Sequence, residues 1–256
     1  MKALLLAAGL GKRLRPLTNN WPKCLMPIKG RPLLEYWLRI LKKQDIENVL
    51  INRHHHSEIV KKFLQQPQYE EWVQSVYEEY LLGTAGTLRE NADFFYGNTV
   101  MIAHADNWCC CDFPDFMDFH HTRRPKGTVI TMMTFNCPVP SSSGIVEIDN
   151  KGIVIKSFEK VVNPPGKLAN AAVYLVEPEV VEWLVENPHV TDFSTEVLPY
   201  FVGRIATWEN RGIHRDIGTI EMLKKSQLDQ CDPLPWPDHG LWQQKFSKHN
   251  IHDLIG

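Results

Sequence analysis

The sequence predicts an α/β protein built around a mixed, mostly parallel β-sheet. An apolar run over residues 2–8 has the length of a buried strand and leads directly into a glycine-rich loop. Strand-like and helix-like segments then alternate as far as residue 103, which is typical of parallel sheets. A chain of 256 residues with 43% hydrophobic residues can bury a large core, so disorder and collagen-like structure are excluded.

The first half has the more regular pattern. A helix is predicted from Pro32, because apolar residues between Leu33 and Leu41 recur with helical spacing. A second helix is predicted after Ser57 for the same reason. Apolar runs predict the strands of this half, at residues 49–52, 72–77 and 99–103.

The second half alternates less regularly and is expected to extend the same sheet. Together the elements predict one domain over residues 1–230. The tail, residues 231–256, carries aromatic and aliphatic side chains that would pack on this domain or on a partner subunit, so a homo-oligomer is one expected assembly. The predicted strands here are residues 128–134, 145–148, 154–158 and 171–176, and the predicted helices are residues 178–186 and 220–230.

Charge is distributed unevenly along the chain. A net charge of −2 argues against a nucleic-acid partner, and no apolar window is long enough to predict a membrane span. Residues 1–34 nevertheless hold seven Lys and Arg side chains and no acid before Glu35. Because glycine and proline are interleaved with these cations, the pattern favours a loop that binds an anionic ligand over a solvated helix face.

Two runs of potential ligands are interpreted as structural. The three consecutive cysteines at residues 109–111 form neither a disulfide framework nor a CxxC metal motif. They are expected to be buried thiols in a protein of the reducing cytoplasm. The three histidines at residues 54–56 have no further ligand at zinc-site spacing and are expected to be loop residues.

The glycine-rich loop fits neither common nucleotide-binding motif. Gly9 and Gly11 match the start of GxGxxG, but Leu14 replaces the third glycine, and no acid follows the second strand. Leu6 and Arg13 replace the first glycine and the magnesium-binding hydroxyl of a P-loop. What remains is AAGLGKRLRPLTNNWPK, in which glycines let backbone N–H groups approach phosphate oxygens while basic side chains supply charge.

This segment, residues 7–23, resembles the signature of the sugar-phosphate nucleotidylyltransferases, which join a nucleoside triphosphate to a sugar 1-phosphate and release pyrophosphate. Further motifs follow in the family's order: LLGTAG, HADN, SGIVE, FEK, NAAVY and RDIGT. The resemblance covers residues 1–228. It implies the family's Rossmann-like three-layer sandwich, with a nucleoside triphosphate and a sugar 1-phosphate as partners.

The resemblance also implies residue roles. Phosphoryl transfer needs neutralisation of charge on the triphosphate, and two carboxylates at strand ends can hold Mg²⁺. Asp106 and Asp216 are the expected metal ligands. Arg13 and Lys23 would act on the transferring phosphates, and Lys160 would hold the sugar phosphate. The nucleotide is expected at Ala7, Ala8, Gly9, Gly11, Lys12, Gly83, Thr84 and Gly86, and the sugar is expected at Gly144, Glu159 and Asn170.

The pattern departs from the family in its small residues. Ala105 and Ala172 stand where the family has glycine, and no proline follows Lys160. These changes leave the charged groups in place, so they are expected to affect sugar specificity more than the chemistry.

The base and the competing functions remain open. LGTAG is nearest to the guanylyl branch, so GTP with mannose 1-phosphate or heptose 1-phosphate is the first choice. Backbone carbonyls at residues 82–85, or Glu78 and Glu79, would accept from guanine. UTP or dTTP with glucose 1-phosphate is the alternative. A non-catalytic nucleotide-sugar binding module, and a dinucleotide-dependent oxidoreductase as the third choice, are the competing classes.

Overall fold

The computed structural model describes residues 1–231 and 240–255. The chain divides into two compact units. Unit 1 contains Met1–Leu4, Leu82–Ala103 and Cys111–Gly212, and unit 2 contains Leu5–Leu81, His104–Cys110 and Ile213–Gly256. The predicted division of the chain at residue 230 stays a prediction.

Short strands and helices alternate through most of the described chain. The strands are β1 (Lys2–Leu6), β2 (Pro27–Ile28), β3 (Arg31–Pro32), β4 (Asn48–Arg53), β5 (Val73–Tyr77), β6 (Val100–His104), β7 (Asn107–Cys110), β8 (Ile130–Asn136), β9 (Gly144–Ile148), β10 (Val154–Glu159), β11 (Leu168–Val176), β12 (Ile205–Glu209) and β13 (Ile213–Asp216). The α-helices are α1 (Leu33–Lys43), α2 (Ser57–Leu64), α3 (Thr84–Glu90), α4 (Ala92–Phe95), α5 (Phe113–Asp118), α6 (Pro178–Glu186), α7 (Leu198–Tyr200), α8 (Ile220–Leu228), α9 (Leu241–Phe246) and α10 (Ile251–Ile255).

Unit 2 contains two strand pairs that position the candidate site. β4 and β5 run parallel, and β13 pairs antiparallel with β7. Helix α1 buries the apolar face that its spacing predicts, including Trp37, which is 1% exposed. Burial of a large apolar side chain stabilises the fold by about 1.5–3 kcal/mol. The indole N–H of Trp37 donates to the carbonyl of Asn107 at 2.9 Å, which ties α1 to the start of β7.

Unit 1 is organised around β11, which pairs antiparallel with β6, β8 and β9. β10 continues the sheet antiparallel to β9, and β12 runs parallel to β8. The register of β11 against β8 shifts between Asn170 and Tyr174. Ala172 lies within this bulge with a φ of 52°, in the left-handed region. Parallel and antiparallel pairs therefore coexist, as predicted for a mixed sheet.

The described part of the tail packs within unit 2. The ring of Phe246 stacks on Trp21 at 5.8 Å, and Trp242 meets Phe63 edge-on at 4.8 Å. Ile251 is 2% exposed. Residues 232–239 and 256 of the predicted tail lie outside the described residues. None of the helices in residues 1–231 and 240–255 has the length and apolar character that a membrane crossing requires.

One prediction about the cysteines is wrong. Cys110 is not a free thiol, because it forms a disulfide with Cys231. The chain after α8 returns to β7 and brings the two Cα atoms to 6.1 Å, within the usual range for a disulfide. Cys109 and Cys111 keep their thiols; Cys109 is buried, as expected, and Cys111 is half-buried. The cytoplasmic location stays a prediction.

Candidate active site

Glycine is required at one position of the loop after β1. Gly11 has a φ of 60°, and a Cβ there would lie 2.7 Å from Cγ2 of Thr18. The hydroxyl of Thr18 donates to the carbonyl of Gly11 at 2.9 Å, which fixes the turn. Lys12 then begins a short 3-10 turn that carries Arg13. At the other end of the loop, a Cβ on Gly9 would lie 3.9 Å from Oδ2 of Asp106.

Lys23 lies between the two predicted metal-binding aspartates. Its Nζ donates to Oδ2 of Asp106 at 2.7 Å and to Oδ1 of Asp216 at 2.7 Å. The side chain is 7% exposed. Burial alone would lower the pKa of Lys23, but the two facing carboxylates outweigh it and raise the pKa above its usual value. The sequence places these three residues up to 193 positions apart, and the fold of unit 2 brings them together.

Arg13 completes the charged cluster. Its Nη2 donates to Oδ2 of Asp216 at 2.8 Å, so this carboxylate is shared between Arg13 and Lys23. Burial would raise the pKa of Asp216, but Lys23 and Arg13 lower it below its usual value. A Cβ on Gly218 would lie 2.8 Å from both Nη2 of Arg13 and Oδ2 of Asp216, so glycine lets the two charges meet.

The two carboxylates fit a magnesium ion in their donor chemistry. Oδ2 of Asp106 and Oδ1 of Asp216 face the same ammonium nitrogen, each at 2.7 Å. Mg²⁺ prefers oxygen ligands and commonly combines one or two protein carboxylates with substrate phosphates. Within residues 1–231 and 240–255 no cluster of three or more His, Cys, Asp and Glu side chains forms a candidate metal cage. Magnesium held by this pair would therefore also need phosphate or water oxygens.

A buried relay supports the first residue of the loop. The backbone N–H of Ala7 donates to Oδ1 of Asn52 at 2.7 Å, and Nδ2 of Asn52 donates to Oε1 of Glu78 at 2.9 Å. Glu78 is 5% exposed, whereas Glu79 is exposed. Ala8, a predicted nucleotide-binding residue that follows Ala7 in the chain, is 5% exposed. Asn52 was not predicted as a site residue, although a polar residue near the end of a buried strand is a signal for one.

The three histidines lie between β4 and α2, as predicted for loop residues. Nε2 of His55 and Nε2 of His56 lie 3.1 and 3.0 Å from the carbonyl of Thr18. Nδ1 of His54 lies 2.9 Å from the carbonyl of Glu78. Because the Thr18 hydroxyl also donates to the carbonyl of Gly11, Thr18 connects His55 and His56 to the glycine loop.

The predicted nucleotide-binding stretch at residues 83–86 lies in unit 1 and starts α3. Gly83 has a φ of 80°, and a Cβ there would lie 2.4 Å from the carbonyl oxygen of Thr191. That oxygen accepts from the N–H groups of Ala85 and Gly86 at 2.9 and 3.2 Å. The hydroxyl of Thr84 accepts from the N–H of Phe193 at 2.7 Å. These hydrogen bonds hold the stretch against residues 191–193, which sequence reasoning missed.

The predicted sugar-binding residues also lie in unit 1. A Cβ on Gly144 would lie 2.6 Å from Oε2 of Glu159, so the carboxylate packs directly on the glycine. The side chain of Lys160 is 69% exposed, and its Nζ lies 3.6 Å from Oε1 of Glu159. Asn170 accepts from the N–H of Ala172 at 2.9 Å and donates to the hydroxyl of Tyr174 at 2.7 Å. Asn170 therefore stabilises the bulge of β11, a structural role that the sequence did not predict.

Known nucleotidyltransferases are similar to this chain in sequence. The chain matches the nucleotidyl transferase family model over residues 2–232. It is 29% identical over 219 residues to a UTP–glucose-1-phosphate uridylyltransferase of Synechocystis sp., a match that covers 79% of this chain and 55% of that protein. It is 27% identical over 232 residues to a mannose-1-phosphate guanylyltransferase of Mycobacterium tuberculosis, covering 89% of this chain and 64% of that protein. The chain thus spans between 55% and 64% of the length of these curated relatives.

A solved structure shares the fold. It is a crystal structure from Bacillus anthracis, assigned as a glucose-1-phosphate thymidylyltransferase, with a bound sucrose. The TM-score is 0.80 at 22% sequence identity, and the match covers 93% of this chain and 98% of that one. The predicted α/β sandwich with a mixed, mostly parallel sheet is confirmed. Because the family model matches most of its length, the chain belongs to the nucleotidyl transferase family.

Proposed function

We propose that this chain transfers a nucleotidyl group from a nucleoside triphosphate to a sugar 1-phosphate and releases pyrophosphate. The observation that carries the proposal is the Lys23 ammonium, 2.7 Å from a carboxylate oxygen of both Asp106 and Asp216, beside a glycine loop that suits phosphates. The family match supports this activity.

In the proposed reaction, a phosphate oxygen of the sugar 1-phosphate attacks the α-phosphorus of the triphosphate. A new P–O bond forms while the bond from the α-phosphorus to the bridging oxygen breaks. Pyrophosphate leaves with that electron pair. Because the attacking oxygen is already anionic, no Ser, Cys or His nucleophile is required.

The charged cluster of unit 2 would serve the triphosphate. Asp106 and Asp216 would hold Mg²⁺, which when bound neutralises charge on the phosphates. Arg13 is 70% exposed and uses Nη2 on Asp216, so its other N–H groups would donate to the transferring and leaving phosphates. Lys23 would keep the carboxylates oriented and position the reacting groups near the α-phosphate.

The residues of unit 1 would serve the sugar phosphate. Lys160 would pair with the phosphate of the sugar, because its ammonium is exposed and its ion pair with Glu159, at 3.6 Å, is longer than a hydrogen bond. Glu159, Asn170 and the backbone of Gly144 would bind sugar hydroxyls. Ala172 would narrow the sugar pocket by one methyl group relative to the family's usual glycine.

GTP is the proposed triphosphate. Guanine presents N1 and N2 donors, and a carboxylate is an acceptor-only group that suits them. Of the two glutamates before the glycine stretch, only Glu78 is buried, and Asn52 connects it to the backbone of Ala7. The accompanying sugar phosphate would be mannose 1-phosphate or a heptose 1-phosphate. UTP or dTTP with glucose 1-phosphate is the second candidate pair, and the 29% identity to a uridylyltransferase supports it.

A substrate panel tests the proposal. The purified protein is mixed with Mg²⁺, one of GTP, UTP, dTTP or ATP, and one of the three sugar 1-phosphates, and pyrophosphate release is measured. We expect release with GTP to be fastest, because each unpaired hydrogen-bonding group in the base site costs about 1–3 kcal/mol. Faster release with UTP or dTTP would overturn the guanylyl assignment and keep the transferase. No release with any pair would favour a nucleotide-sugar binding module. In a parallel mixture that contains a nicotinamide cofactor, a change in nicotinamide absorbance would favour an oxidoreductase.

A further inference from the structure

Asp229 is a buried carboxylate directly after α8. Its side chain is 9% exposed. Oδ2 accepts from Nε of Arg215 at 2.6 Å, and Oδ1 accepts from Nη2 of the same guanidinium at 2.7 Å. Oδ2 also accepts from the indole N–H of Trp108 at 3.1 Å. A bidentate pair with a third donor is a strongly directional arrangement.

The two donors belong to the strands that carry the charged cluster. Arg215 and Trp108 are directly opposite each other in the β13–β7 pair. The next pair along is Asp216 opposite Asn107, and Asp106 directly precedes Asn107 in the chain. Asp229 therefore binds one side chain of β13 and one of β7, each within two residues of a proposed metal ligand, Asp216 or Asp106.

Further contacts anchor Asp229 itself. Its carbonyl accepts from the ammonium of Lys29, in the basic segment that follows the glycine loop. Two residues later, the disulfide between Cys231 and Cys110 ties the same segment to the end of β7. The segment that leaves α8 is thus fastened to β7 at two points.

We propose that Asp229 is a positioning residue for the two carboxylates of the site. By holding Arg215 and Trp108 together, it sets the relative position of Asp216 and Asp106, so that one oxygen of each faces a common point. Its side-chain partners are Arg215 and Trp108, so Asp229 acts on the carboxylates through the strand backbones. The inference rests on the proposed function, because the shared ligand of those carboxylates is Mg²⁺ there.

Asp229→Asn is the main variant, because it keeps the size of the side chain and removes the charge. Glu179→Gln is the matched control, since Glu179 forms the same bidentate pair with Arg204, at 2.6 and 2.8 Å, within unit 1. Arg215→Lys is the second variant, and it keeps a charge while losing the fork geometry. Each protein is checked by circular dichroism before it is assayed.

Two readouts separate positioning from a purely structural role. The first is Mn²⁺ binding, measured by electron paramagnetic resonance in the presence of α,β-methylene GTP. The second compares the change in kcat with the change in the KM for sugar 1-phosphate. Outer residues that orient metal ligands typically contribute about 10–100-fold to metal affinity or activity, so we expect at least a 10-fold loss of Mn²⁺ affinity and of kcat in Asp229→Asn. The KM for sugar 1-phosphate and all values of Glu179→Gln should stay within twofold of wild type.

The proposal is overturned if a folded Asp229→Asn or Arg215→Lys variant keeps wild-type Mn²⁺ affinity and kcat. If Asp229→Asn does not fold, Arg215→Lys decides by the same two readouts. A wild-type protein that binds Mn²⁺ and the analogue but releases no pyrophosphate would refute the proposed function instead. In that case the Mn²⁺ affinities still test the positioning role of Asp229.

Discussion

The charged residues of the two units are organised in opposite ways. In unit 2 the Lys23 side chain is 7% exposed and makes two 2.7 Å ion pairs. In unit 1 the Lys160 side chain is 69% exposed, and its nearest carboxylate partner is 3.6 Å away. The ion pairs of Lys23 position its ammonium without a ligand, whereas the exposed ammonium of Lys160 is accessible to an anionic ligand. Preorganised charge is what stabilises a transition state, and an exposed cation suits recognition of an incoming anion.

The largest expected effect comes from Asp216, which contacts both Lys23 and Arg13. Asp216→Asn should lower kcat by on the order of 10²–10³-fold, because it removes a charge from the proposed metal and phosphate site. The fold should survive, since Asn keeps the shape. Glu221→Gln is the control, because it removes a carboxylate that pairs with Lys225 one turn further along α8, outside the charged cluster. Wild-type turnover in Asp216→Asn would contradict the assignment.

The next largest effects are expected from substitutions of Lys23 and Arg13. Lys23→Ala and Arg13→Ala are each expected to lower kcat by about 10²-fold, as is typical for removal of one group that stabilises charge in a transition state. Lys23→Ala should also destabilise the protein, because Asp106 and Asp216 would face each other without their shared cation. Steady-state kinetics and thermal melts measure the two effects. A change in melting temperature with unchanged kcat would show that the cluster is only structural.

In both units the sequence predicted the elements with regular apolar spacing and the residues that lie inside motifs. Helix α6 was predicted to the residue because its apolar spacing is regular, and Asp106 and Asp216 follow from motifs. β7 and β13 were not predicted, since each has only four residues and neither alternates apolar and polar side chains in the way that predicts a strand. Asp229 and the disulfide to Cys231 were also missed. Their partners lie far away in the chain, so only the fold shows that they meet.

The contrast between the units predicts a different kind of defect for Lys160. Lys160→Ala should raise the KM for sugar 1-phosphate by about 10-fold, because it removes one charge-assisted contact to phosphate. Binding of GTP should survive. Isothermal titration with each substrate separates the two, and Lys156→Ala, on β10 four residues before Lys160, is the control. An equal loss of affinity for both substrates would show that Lys160 does not distinguish them.

Burial also distinguishes the two adjacent glutamates of unit 2. Glu78→Gln should lower kcat/KM for GTP by roughly 5–10-fold and alter UTP use less, because an amide presents a donor as well as an acceptor to guanine. Exposed Glu79 supplies the matched variant Glu79→Gln, which should behave as wild type. The base assignment fails if both variants keep the wild-type ratio of GTP to UTP efficiency.

The smallest expected effect concerns the bulge of unit 1. Ala172 has a φ of 52°, a conformation that glycine adopts without strain. Ala172→Gly should therefore stabilise the protein by up to about 1 kcal/mol in urea unfolding, and it should widen the range of sugar phosphates accepted. Ala171→Gly, at the buried neighbour with ordinary φ, should destabilise instead. Loss of stability in Ala172→Gly would show that the alanine is not strained.

Isotope tracing tests the central claim most directly. Sugar 1-phosphate carrying ¹⁸O in its non-bridging phosphate oxygens is incubated with GTP, Mg²⁺ and the protein, and the products are analysed by mass spectrometry. Attack by that phosphate on the α-phosphorus predicts that all the label stays in the nucleotide sugar and that pyrophosphate carries none. Formation of a nucleoside diphosphate without pyrophosphate, or label in pyrophosphate, would contradict nucleotidyl transfer.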